Sequence, residues 1–419
     1  MKRHTILKKI AAVALCLTAA LTTVTGAGMQ NSFADMSVSV SAAETELKLN
    51  KTEKDMLPYY YQKMTKSEKS NYLKLRKAIL TQKTTVKLDK LSNDTLNKLI
   101  DTAYYYDDLT FNLVNVSGET GPSYSNLKLK YQFSKKSYIM MVNKLDEKAK
   151  AVNAKFTEKT STYTKIKYIH DYIIKNCVYD TNAQTKDTAY GALIAKKADC
   201  DGYSKAFSYL CRSAGIWTVN VIGDSGEPHM WNKVYYNKRW YGMDVTWDDP
   251  DMPLKANSSY MYFMVSDSTL NKTHKEDPVP YEVPDAKDGG KTYYRVNKLC
   301  AKDVKTARSM LISGIASAAS KGKTSFTIQL ADDETYNSVV EYIQKDNMKN
   351  GLDILQQASE KTKAKLITRG CQGLGEPNTR TYTFYFYYKG TKMTDYYKTL
   401  SVIDASTKEF LRQLGLKEA

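Results

Sequence analysis

All four tryptophans of this 419-residue chain, Trp217, Trp231, Trp240 and Trp247, fall between positions 217 and 247. So much apolar ring area in so short a stretch has to be buried locally, and the alternation around it predicts how. Trp217, Val219 and Val221 alternate with Thr218 and Asn220, which reads as a half-buried strand. His229 to Tyr236 and Arg239 to Trp247 read as two more strands, joined by a two-residue turn at Asn237-Lys238. With that turn, Tyr236 stands opposite Arg239, Trp231 opposite Asp244, and His229 opposite Thr246. Cross-strand partners share a face, so His229, Trp231 and Asp244 are expected on one side of the sheet. His229 and Asp244 then become diagonal neighbours roughly 7–8 Å apart at Cα, within side-chain reach. A carboxylate there can accept a histidine N–H, fix its tautomer and stabilise imidazolium.

Upstream, Asp199-Cys200-Asp201-Gly202 opens a predicted helix whose apolar positions are Tyr203, Phe207, Leu210 and Cys211. Cys200 lies on the same inward face, in the first turn. Unpaired backbone N–H groups and the positive end of the helix dipole favour the nucleophilic thiolate at that place. The same groups can bind an oxyanion. If this helix packs on the face carrying His229 and Asp244, the three residues form a Cys–His–Asp relay.

The remaining chain supplies context. Lys2, Arg3, Lys8 and Lys9 precede an apolar run from Ile10 to about Val24, and small residues follow, the pattern of an export signal over residues 1–34. Removing it lowers the formal charge of +17 by four. Lysine dominates the surplus, with only nine arginines in the chain. Nucleic-acid readers lean on the arginine fork, so the charge points to an anionic polymer such as cell wall rather than to nucleic acid. The odd set Cys177, Cys200, Cys211, Cys300 and Cys371 leaves at least one free thiol, and all but Cys200 read as small buried hydrophobes. No cysteine pair has zinc-ligand spacing, so neither metal nor cofactor is expected. Residues 35–50 read as a linker and 51–155 as a mainly helical N-terminal region, with Ser117 to Ser125 as a loop. A central domain spans 156–285, opened by an amphipathic helix carrying Ile166, Ile169, Ile173 and Ile174. An α+β accessory domain spans 292–419. Within the central domain, His170 reads as a surface or packing histidine, Asp248-Asp249-Pro250 as a strand-ending turn, and His274 as a loop residue.

Three motifs carry a resemblance: Ala198-Asp199-Cys200-Asp201-Gly202-Tyr203-Ser204, His229-Met230-Trp231-Asn232, and Trp240-Tyr241-Gly242-Met243-Asp244-Val245-Thr246-Trp247. Their order and spacing resemble the core of the transglutaminase-like superfamily, in its secreted bacterial form. That resemblance implies an α+β chain with a papain-like core, a nucleophile helix packed on an antiparallel sheet. It implies Cys200 as nucleophile, His229 as general base and acid, and Asp244 as the orienting carboxylate. The expected activity is attack on peptide or amide bonds through an acyl-enzyme, as a protease or amidase or by acyl transfer to an amine. Protein or peptide would be the substrate, at or beyond the cell surface. The alternative is a non-catalytic cell-surface or cell-wall interaction protein that keeps the fold as a binding scaffold.

Overall fold

The computed structural model describes residues 57–121, 124–249, 260–278, 281–390 and 412–415. The export segment, the linker and Cys16 lie outside them. The chain is mixed α+β.

The N-terminal region starts with α1 (Tyr59–Lys63) and α2 (Lys66–Leu80). Thr65 caps α2 through a reciprocal box with Glu68, which satisfies backbone N–H groups that the helix leaves orphaned. Strand β1 (Thr85–Asp89) follows, then α3 (Asn93–Asp101), capped by Ser92. Strands β2 (Leu113–Thr120) and β3 (Tyr124–Tyr131) form a hairpin, and β1 adds to its other edge in the order β1-β3-β2. The expected loop from Ser117 to Ser125 is thus mostly strand, with the reversal confined to a few residues after Thr120. Small residues persist there because the strands pack closely: a Cβ on Gly118 would lie 2.2 Å from the Asn126 carbonyl oxygen. The region thus combines its helices with a three-stranded sheet.

The central core comprises α4 (Lys135–Asn153), α5 (Thr162–Asn176), the short pair β4 (Val178–Tyr179) and β5 (Lys197–Ala198), and α6 (Cys200–Ser213). Ile166, Ile169, Ile173 and Ile174 of α5 are all buried, as their spacing predicts. Strands β6 (Thr218–Asp224), β7 (Pro228–Tyr236), β8 (Arg239–Met243), β9 (Phe263–Val265) and β10 (Lys275–Glu276) form an antiparallel sheet in the order β10-β6-β7-β8-β9, with α7 (Asp267–Leu270) between the last two in sequence. Asn237 and Lys238 both have positive φ, 48° and 61°, and close the two-residue β7–β8 turn. The register matches the expectation from Tyr236↔Arg239 to Asn232↔Met243, where the ladder ends. Strand β8 therefore stops at Met243 and not at Trp247.

The two sheet faces have different cores. Val234, Tyr241 and Met243 join Tyr203, Phe207 and Leu210 of α6. Val219, Val221 and Trp231 pack on the other face against Tyr60, Tyr106 and Leu270. Helix α6 thus covers the face opposite Trp231, contrary to the arrangement expected from the alternation. Trp217 is 42% exposed, and Trp240, partly buried, packs edge-on to Tyr59 at the rim of the core around Trp231.

Beyond α8 (Tyr293–Val296), the C-terminal region builds its own core from β11 (Cys300–Ala301), α9 (Val304–Ala319), β12 (Ser325–Leu330), α10 (Asp333–Glu360, broken at Lys345–Met348), β13 (Gln372–Glu376) and β14 (Thr381–Tyr385). Its sheet runs β11-β12-β14-β13. Around Leu366 there is a single bridge to Tyr388 rather than a strand.

A buried polar chain holds α6 in place. Asp108 accepts Ser208 Oγ of α6 at 2.8 Å, an Nη2–H of Arg212, and Asn220 Nδ2 of β6 at 3.3 Å. Asn232 Nδ2 of β7 reaches Asn220 Oδ1 at 2.8 Å and the Ser204 carbonyl of α6 at 3.1 Å. Removing Asp108 would leave Arg212 buried without this carboxylate. The Asp108→Ala variant is expected to lose about 3–5 kcal/mol of unfolding free energy in chemical denaturation. A loss below about 1 kcal/mol, the range of an exposed pair, would show that the chain does not hold the helix.

Candidate active site

Cys200 is the first residue of α6 and is partly exposed. Asp199 supplies the cap, its Oδ1 accepting the Gly202 N–H at 3.4 Å, while its own N–H donates to the Lys186 carbonyl at 3.0 Å. That crossing explains the glycine in the motif: a Cβ on Gly202 would sit 2.1 Å from the Lys186 oxygen. The thiol therefore stands at a helix N-terminus held tightly against a neighbouring loop.

His229 is 6% exposed, the second residue of β7. Its Nε2 is 2.8 Å from Asp244 Oδ2. The two meet because Asp244 follows the last residue of β8, where the chain turns out of the ladder. Asp244 Oδ1 accepts the N–H groups of Thr246 at 2.9 Å and Trp247 at 3.0 Å. The expected contact is thus made through a turn rather than through a cross-strand pair. The Cys200 sulfur is among the groups whose charge acts on the same imidazole, and its Sγ lies 3.8 Å from Asp201 Oδ1. Trp231 lies parallel to the His229 ring at 6.1 Å between centroids, and Trp247 closes another side at 5.8 Å. Two of the four tryptophans therefore wall the site, and Trp217 and Trp240 do not.

Electrostatics follow from this packing. Burial opposes a charged imidazole, but the Asp244 carboxylate and the Cys200 sulfur outweigh it and raise His229 to about 10. Burial likewise works against the Asp244 charge, yet the donors from His229 and His274 hold its carboxyl well below the ordinary carboxylate range. The arrangement favours an imidazolium backed by an ionised carboxylate.

Two residues missed in the sequence belong here. His274, expected as a plain loop residue, is buried with Nε2 3.0 Å from Asp244 Oδ2. His170, expected as a surface or packing histidine, is fully buried, with Nε2 3.1 Å from Asp248 Oδ2 and Nδ1 3.0 Å from Asp171 Oδ1. Asp248 in turn accepts the Tyr262 N–H at 2.9 Å and donates its own N–H to the Asp244 carbonyl at 3.1 Å. Helix α5 thereby braces the turn that presents Asp244. Burial pushes the Asp248 carboxyl up to about 6 against the pull of His170. The only sequence signal for either histidine was its rarity, since the chain has four.

Metal-ligating atoms lie within 4.8 Å of one another in two trios, His229–Asp244–His274 and Asp199–Cys200–Asp201. In the first, both imidazoles already bond the carboxylate, so an ion there would have to replace both hydrogen bonds. Of the other cysteines, Cys177, Cys211 and Cys371 are buried and Cys300 is partly buried, all unbridged. The small-hydrophobe expectation holds for the first three and only partly for Cys300.

Residues 150–245 match the sequence profile of the Transglutaminase-like superfamily. This segment is similar to the core of that superfamily. Kyphoscoliosis peptidase of Mus musculus is 31% identical over 137 residues, 26% of this chain and 21% of that protein. Kyphoscoliosis peptidase of Homo sapiens is 34% identical over 101 residues, 20% of this chain and 15% of that protein. The chain thus spans about a fifth or less of the length of these relatives, and they are mammalian. A solved structure titled as a TGase is 16% identical with a TM-score of 0.24, over 38% of this chain and 50% of that one.

The raised His229 has a consequence for stability. The folded chain binds this proton more tightly than the unfolded chain, where histidine titrates near about 6.5. Its stabilisation is fully present below that value and is lost as pH rises through about 10. Thermal unfolding between pH 7.5 and 10.5 should therefore fall more steeply in the wild type than in His229→Gln. Parallel slopes would locate the pH dependence elsewhere.

Proposed function

We propose that this chain is an exported thiol enzyme that attacks peptide or amide bonds through Cys200, His229 and Asp244. The observation that carries the reading is the buried His229 ring, held by Asp244 at 2.8 Å on Nε2, with the Cys200 sulfur among the groups that favour its charged form. The thiolate adds to a carbonyl carbon, and N–H groups at the start of α6 face the developing oxyanion. Imidazolium gives its proton to the departing amine, leaving an acyl-enzyme. Water or a second amine, deprotonated by His229, then releases the acyl group and restores the thiol. Asp244 keeps the ring oriented and offsets its charge without taking up the proton.

Hydrolysis is favoured over cross-linking, since the curated relatives that match are by name peptidases. Export rests on the N-terminal charge and apolar pattern, and the lysine-rich surplus suits work near an anionic cell wall of a bacterium. Protein or peptide is the substrate class. The competing reading, a binding scaffold at the cell surface, requires no reactive thiol.

Alkylation of Cys200 as a function of pH separates the two. Wild type is expected to react with iodoacetamide well below the range of an ordinary thiol, about 8.5. His229→Ala should abolish that low-pH reactivity and slow alkylation at pH 6.5 by about tenfold or more. A Cys200 that reacts only as a free thiol, with no change in His229→Ala, would sink the enzyme reading. Incubation with a labelled amine donor and a mixed peptide substrate then distinguishes transfer from hydrolysis.

A further inference from the structure

We propose that His274 is a positioning residue of this site: as a second histidine donor on Asp244, it sets how strongly the carboxylate draws on the ring of His229. The proposal rests on Cys200, His229 and Asp244 forming the reactive unit.

Asp244 has no exposure to solvent and its carboxylate accepts from four donors. Oδ1 takes two backbone N–H groups, from Thr246 and Trp247, and these alone orient the carboxylate. Oδ2 is shared by two imidazoles, His229 at 2.8 Å and His274 at 3.0 Å. The second of these is not needed to satisfy the carboxylate's direction. Its effect is electronic: each donor spreads the negative charge and weakens the oxygen as an acceptor for the others.

The placement of His274 is specific. Strand β10 pairs with the end of β6, Lys275 opposite Asp224 and Glu276 opposite Gly223. A Cβ on Gly223 would lie 2.1 Å from the Lys275 carbonyl oxygen and 2.6 Å from the Trp231 ring, so glycine is what lets β10 come this close. The ring of His274 sits among Trp231 at 4.9 Å, Trp247 at 4.6 Å and Tyr262 at 5.3 Å between centroids. Its Nδ1 is 2.8 Å from Thr273 Oγ1. That hydroxyl also reaches the Leu270 carbonyl at 3.3 Å, and because an ionised carboxylate can only accept, the ring proton that meets Asp244 is on Nε2.

Other charges around the pair come from elements on every side. Cys200 and Asp201 of α6 face His229. Asp248 and Tyr262 face Asp244. None of these donates to Oδ2, so they form a constant background against which His274 acts. Without His274, the full charge of Oδ2 would fall on His229, which would hold its proton to higher pH. An imidazolium held too tightly is a poorer acid toward a leaving amine, so the second histidine keeps the first one able to release its proton.

The test is a pH titration of the full chain labelled with 15N-histidine, followed by long-range proton–nitrogen correlation of the imidazole nitrogens. In the wild type, His274 should appear at neutral pH with its proton on Nε2. An Nδ1–H tautomer would overturn the proposal without any variant being made. His274→Phe, which fills the same aromatic box, should raise the His229 midpoint by about half a unit or more. His274→Gln, whose amide can still donate to Oδ2, should return it toward the wild type. An unchanged midpoint in His274→Phe, or a fall accompanied by loss of the His229 hydrogen-bonded proton, would mean that the residue serves packing alone. Cys200→Ala keeps the two readings apart. If removing the sulfur leaves the His229 titration unchanged, the thiol–imidazole reading fails, whatever His274 does.

Discussion

A carboxylate cut off from water must be surrounded by donors, and Asp244 draws its donors from separate parts of the chain. Two are backbone N–H groups of its own turn, one is an imidazole on β7, and one is an imidazole between α7 and β10. Leaving such a charge unsatisfied would cost several kcal/mol. The turn after β8, the start of β7 and the approach to β10 are therefore held to one another by a single ionised group. The reactive ring is oriented as a consequence of that requirement.

The same device recurs away from the thiol. Asp248 ties the turn to His170 on α5. Asp108 ties the N-terminal region to Arg212 and Ser208 on the nucleophile helix, and its neighbour Asp107 accepts Arg76 Nε at 2.6 Å and Tyr72 Oη at 2.7 Å. Apolar packing puts α6 on the sheet, because Tyr203, Phe207 and Leu210 share a core with Val234 and Met243. Apolar contacts are adaptable, whereas hydrogen bonds to buried charge have narrow geometry. These polar ties fix the register of α6 on the sheet, and so the position of Cys200 at its tip.

Local chemistry was legible wherever its cause is local. The helix start at Asp199-Cys200-Asp201-Gly202, the two-residue turn at Asn237-Lys238, the isoleucine face of α5 and the strand pairing up to Asn232 and Met243 all follow from short-range pattern. Errors arose where distant segments decide. Strand β2 runs through glycine and serine because β3 covers it closely. Strand β8 ends early because the Asp244 side chain turns back to cap its own backbone. The side of the sheet that α6 covers is set by which face the N-terminal aromatics Tyr60 and Tyr106 already occupy.

The residue types of the site, their order and their spacing are properties of the sequence alone, and they were enough to single out Cys200, His229 and Asp244. Motif spacing works because the three lie on regular elements whose rise and periodicity are constant. Only tertiary structure decided that His229 meets Asp244 through the turn after β8, and that His274 and His170 stand behind it. Neither histidine lies in a repeating pattern. Each is defined by a carboxylate far away in sequence, Asp248 for His170 and Asp244 for His274, and a contact across that distance leaves no local trace.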